Sequence, residues 1–202
     1  MRAQVSSASP ATVMTHSMIA QFLRLTLIGT ALLTSLPAQA KVTVEAHDGL
    51  LAAKVSEEIV PGDYEALLKG LRAHPGHFTR KIVLLDSLGG SAPEAMRMGR
   101  LLRETGFEVL VPSDGLCQGS CIYLLAAGKK RTIKGAVALR RPPFANGDSA
   151  LAQTAGPRAF VSPASYFREM GVNTSLAEAI EQVPEGRIRL LSQSDLAHYR
   201  LQ

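Results

Sequence analysis

Tryptophan is absent from this chain, cysteine occurs twice, and aromatic residues fill only 5% of its 202 positions. With so few rings there is little to stack nucleobases on, and the basic residues are spread rather than clustered. A net charge of +5 therefore does not read as a nucleic-acid surface; the run Lys129–Arg131 reads as solvated turn residues. No Cys/His set has zinc spacing, no phosphate-cradling glycine loop occurs and no repeat is visible, so no metal and no cofactor are expected. Gly 17 and Pro 11 are ordinary for this length, and 46% hydrophobic residues suffice for one medium domain with its own core.

Acids are also missing from the first 40 residues, whose only formal charges are Arg2 and Arg24. Arg24 is followed by the apolar run Leu25–Leu36, then Pro37 and Ala38-Gln39-Ala40. A basic flank, an apolar stretch of about twelve residues and small residues where a signal peptidase reads describe a secretory signal peptide cleaved after Ala40. The run is short of the ~20 apolar residues that a bilayer anchor needs, so no stable membrane span is expected after cleavage. Met1–Ser17 is unlike the start of such a signal, which makes Met18 an alternative first residue. The expected division is thus 1–40 signal peptide and 41–202 mature domain, periplasmic or secreted. Removing Arg2 and Arg24 from the +5 leaves the mature part at +3. An exported chain meets conditions that permit disulfides.

In the mature part, Lys41–Ala46 alternates as a strand and ends in the turn His47-Asp48-Gly49. Asp63 is placed to cap a helix with Tyr64, Leu67, Leu68 and Leu71 on one face. Lys81–Asp86 is a continuous apolar run typical of a strand covered on both faces, followed by a glycine-rich turn, Ser87–Ser91. Ser91 opens a helix whose inner stripe is Ala95, Met98, Gly99 and Leu102, with Arg97, Arg100 and Glu104 toward water. Phe107–Val111 is the next strand, giving a parallel crossover. Cys117–Cys121 leads into a buried helix ending at Gly128, and Thr132–Leu139 reads as one more strand. Phe144–Pro163 reads as a loop, Ala164–Gly171, Ser175–Gln182 and Ser194–Leu201 as helices. Alternating strands and helices make an α/β fold.

Two segments are suited to chemistry. Gly89 and Gly90, at the carboxyl end of a buried strand, can bring backbone N–H groups close to a ligand oxygen, as an oxyanion hole requires. Cys117–Cys121 offers a small residue at a helix start, where a nucleophile would sit.

Several stretches together resemble the Clp-protease/crotonase-like superfamily, in particular its exported branch. Ile59–Tyr64 is similar to its opening motif, Leu85–Gly90 to its D-S-P-G-G oxyanion turn, and Cys117–Cys121 with Leu124–Gly128 to its nucleophile helix. Tyr166–Gly171 and Leu191–Leu196 match as well, so the resemblance spans nearly the whole mature part. It implies a parallel sheet with flanking helices and a serine nucleophile activated by a histidine.

The chain departs from that pattern at the reactive positions. The family's nucleophile position falls on Gly119, and Ser120 comes one place later, where a helix would turn it by roughly 100° from the glycine pair. The family's base position falls at Arg140 and Arg141, and arginine cannot take a proton from serine. His47, His74, His77 and His198 lie elsewhere, and Glu185 stands near Pro184 where an acid would be. A lost triad is therefore expected, in a pseudoenzyme that binds a peptide, an anionic ligand or a partner protein at the former crevice. Arg140 and Arg141 either line that crevice as anion-binding groups or point to solvent. The alternative is a serine hydrolase or peptidase using Ser120 with the Gly89-Gly90 turn. A catalytic paralogue and further copies of the chain are also candidate partners. Cys117 and Cys121, four residues apart, can approach to the ~5.5–6 Å Cα separation of a disulfide; free buried thiols are the other reading.

Overall fold

A computed structural model describes residues 41–143 and 162–202. The expected signal peptide with its cleavage at Ala40 lies outside the described residues, as does most of the expected loop; Ser162 and Pro163 open a helix instead.

The first half of the described residues builds one side of a mixed sheet of eight described strands with flanking helices. Strand β1 (Lys41–His47) turns back antiparallel on β2 (Leu50–Ile59), which runs parallel to the long β3 (Arg80–Gly90). Between them lies helix α1 (Asp63–Ala73). Helix α2 (Ala92–Glu104) then connects β3 to the parallel β4 (Glu108–Val111), the crossover read from the sequence. Ser91 caps α2 by accepting from the Glu94 N–H, and Ala95, Met98, Gly99 and Leu102 are all buried, as the spacing predicts.

Strand β3 is shared. Its first half pairs with β4, which pairs with β6 (Arg131–Ile133), whereas Ser87 near its end pairs with Cys117 of β5 (Leu116–Gln118). From β5 the sheet continues through the parallel β7 (Ala136–Arg140) to the antiparallel β8 (Ile188–Leu190). The Asp86 side chain accepts from the Leu116 N–H at 3.1 Å and so fixes where β5 begins. Helix α3 (Cys121–Ala127) is buried at every residue, and α4 (Pro163–Glu169), α5 (Ser175–Glu181) and α6 (Gln193–His198) complete the chain. The core is formed by Ala53, Val55, Val83, Leu85, Val109 and Val111 of the sheet against Met98, Leu102, Ile122 and Leu125 of α2 and α3.

Three boundaries differ from the sequence reading. The glycine pair is strand rather than turn: Gly89 and Gly90 remain paired with Glu58 and Ile59 of β2. The segment at Cys117 is strand before it is helix, because Gln118 and Cys117 pair with β7. Thr132–Leu139 is divided between β6 and β7, which bond to different neighbours. Asp63 does not cap α1 either; its carboxylate accepts from the Val60 N–H at 2.7 Å.

Candidate functional site

The parallel strands β3, β5 and β7 end at Gly90, Gln118 and Arg140, and the residues singled out from the sequence gather along these ends. Gly90 has φ 134, and a Cβ there would collide with the backbone of Ile59, whose carbonyl also accepts the Ser91 N–H at 2.8 Å. The second glycine is therefore demanded by the close approach of β2 to β3. The first, at φ 95, donates its N–H to Ser87 Oγ at 3.3 Å, and the Ser87 hydroxyl in turn donates to the Glu57 carbonyl at 2.5 Å.

Between β5 and α3, Gly119 adopts φ 54 and its N–H donates to the Ala138 carbonyl of β7 at 3.1 Å. A left-handed residue at this point re-aims the chain as it leaves the strand. Ser120 consequently does not point away from the glycine pair as a helical start would require: its hydroxyl donates to the Gly90 carbonyl at 2.9 Å. The side chain is buried, with the residue 2% exposed. Ser120 thus touches the glycine segment through the Gly90 carbonyl.

The two cysteines flanking this pair are bridged, with Cα atoms 5.3 Å apart, and no described cysteine is free. Both are fully buried. The bridge ties the end of β5 to the first turn of α3 and encloses Gly119 and Ser120 in one small ring.

The arginines separate. Arg141 is exposed and faces Glu181 of α5 at 3.7 Å, while Arg140 ends β7 opposite Ile188 of β8. The described histidines have these contacts: His47 pairs with Asp48 at 2.9 Å, His74 Nδ1 meets the Gly70 carbonyl, and His198 packs on Tyr199. His77 and Glu185 are exposed. Among the described residues no His/Cys/Asp/Glu group is arranged to hold a metal, and no helix is long and apolar enough to cross a membrane.

The sequence reading gave no site role to the acids beside this region. Glu57 has φ 65, and the β2–β3 register shifts between Glu57 and Glu58, leaving Leu88 as the extra, exposed residue of β3. Glu94 is fully buried; its Oε1 accepts from the Gly62 and Tyr64 N–H groups at 2.8 and 2.9 Å, and Arg97 reaches its Oε2 at 3.2 Å. Arg97 also lies 4.0 Å over the Tyr64 ring. Burial drives the neighbouring Asp63 carboxyl up to about 6, against the lowering effect of the Val60 N–H and with a further push from Glu94. The signal for Glu94 was present in its position, three residues after the cap Ser91, where an acid suits a helix start.

No family model matches the chain, and no curated protein matches it. The α/β fold and the Cys117–Cys121 bridge stand on the geometry alone.

Proposed function

We propose that this is an exported, non-catalytic protein of the Clp-protease/crotonase type. In this reading the carboxyl ends of β3, β5 and β7 bind a peptide, an anionic ligand or a partner protein and perform no acyl transfer. The observation that carries the proposal is the state of Ser120: its hydroxyl is buried and donates to the Gly90 carbonyl at 2.9 Å, and the described histidines all make other contacts or lie exposed. A serine nucleophile needs a base within hydrogen-bond reach and an open approach for the carbonyl carbon. The Gly89 N–H, an oxyanion donor in the competing reading, donates to Ser87.

The hydrolase reading keeps one observation in its favour, the contact of Ser120 with the glycine segment. Treating the purified, oxidised protein with a fluorophosphonate probe beside Ser120→Ala separates the two. No adduct on folded, bridged protein is the expected result. An adduct mapped to Ser120 and lost in the variant makes the protein a serine hydrolase with an unusual base.

A further inference from the structure

Strand β8 carries two large apolar side chains that the rest of the domain does not cover, Ile188 at 53% and Leu190 at 63% exposed. It closes one end of the sheet, paired with β7 through Ala138–Leu190, Leu139–Arg189 and Arg140–Ile188, and its other edge meets no strand among the described residues. The Leu191 N–H donates to the Val137 carbonyl at 2.9 Å. Successive residues of an antiparallel strand turn their polar groups to opposite sides. Arg189 and Leu191 therefore face β7, and the N–H and C=O groups of Ile188 and Leu190 face the open edge. The next open-edge donor beyond Leu190 is already used, Ser192 N–H on Asp195 at 2.9 Å.

We propose that this edge pairs antiparallel with the same edge of a second copy, about a two-fold axis passing beside Arg189. In that register Ile188 lies opposite Leu190 of the second copy, and the two exchange both their backbone hydrogen bonds. Their side chains form an apolar cross-strand pair on one face. Self-complementarity of this kind is what an isologous interface demands. Arg189 then lies opposite its own counterpart. Bare charges on an edge strand discourage pairing, but Asp195 holds Arg189 at 2.9 Å. The two guanidiniums arrive with their two carboxylates, and the cluster is neutral.

Light scattering on the purified full protein over a dilution series, with the Ile188→Lys/Leu190→Lys and Leu190→Pro variants, tests this. The Leu190 N–H faces the open edge, so proline removes a bond to the second copy and none to β7. The expected result is twice the monomer mass for the unaltered protein at concentrations above about 10 µM, and monomer for both variants with unchanged circular dichroism. Monomeric unaltered protein at every concentration overturns the proposal, including the case in which the edge serves another protein's strand. Dimer that persists in Leu190→Pro overturns it too, since association would then not run through strand pairing.

Discussion

The Tyr166 hydroxyl occupies the space that a side chain at position 99 would fill: it donates to the Tyr123 carbonyl at 2.9 Å, and a Cβ on Gly99 would collide with it. Tyr166 is fully buried and stacks edge-on against Tyr123, so it has little room to give. Gly99 is therefore a contact surface between α2, α3 and α4. Gly99→Ala is expected to destabilise the fold by about 1–3 kcal/mol through overpacking, despite alanine's better helix propensity. Combining it with Tyr166→Phe, which deletes the clashing oxygen, is expected to cost less than the sum of the two single changes. Urea denaturation of the four proteins measures this; simple additivity would show that the two positions do not meet.

Asp63 makes stability depend on pH in an unusual direction. Its carboxyl is pushed up to about 6 from 3.8, so between those values the folded state holds a proton that the unfolded state releases. Its contribution is thus most favourable below about pH 4 and declines as pH rises toward 6, by up to about 3 kcal/mol for a shift of this size. Asp63→Asn keeps an acceptor for the Val60 N–H and cannot ionise. Relative to the unaltered protein it should gain stability from pH 4 to about pH 6 and then hold level to pH 7, read from denaturation midpoints at each pH. A constant difference across that range would mean that Asp63 titrates normally.

Helix α2 and its cap could be read from sequence because a capping serine, an early proline and a 3.6-residue stripe all agree there. Strand β2 could not: its buried residues include small Ala53, and the polar series Lys54, Ser56, Glu57 and Glu58 interrupts the pattern. All three residues of β8 are exposed, leaving no inside-outside contrast to detect. Charge misled at Arg131, read as a solvated turn residue. It is partly buried, donates to the carbonyls of Leu125, Ala126, Met170 and Arg200, and burial with nearby Arg103 lowers its pKa to about 10. Around Ser120, the pairing of the two cysteines was legible from their spacing. The direction of Ser120 was not, because it depends on the left-handed Gly119 and on β5 replacing the first helical turn.

The Cys117–Cys121 bridge closes a very short loop, with a sequence separation of 4. Chain-entropy arguments for so small a ring give about 2 kcal/mol. Cys117→Ala/Cys121→Ala is expected to lose about that much, and the consequence should be concentrated where the ring is. Amide exchange at Gly119, whose N–H bonds to the Ala138 carbonyl, should quicken more than at Val83 in the middle of β3. Uniform acceleration across both would assign the bridge a global role rather than a local one.

If Ser120 is a structural residue, removing its hydroxyl must register in stability. The bond to the Gly90 carbonyl is buried and joins the start of α3 to the end of β3. Ser120→Ala leaves that carbonyl with one donor fewer and is expected to lower stability by about 1–2 kcal/mol. Ser120→Cys keeps the side chain's shape but donates weakly, so it should fall between the two in denaturation midpoint. A nucleophile poised for catalysis predicts the opposite, since functional sites commonly hold groups at a cost to the fold and Ser120→Ala would then be neutral or stabilising. The sign of the change measured in urea distinguishes a serine that ties the sheet to α3 from one held ready for attack.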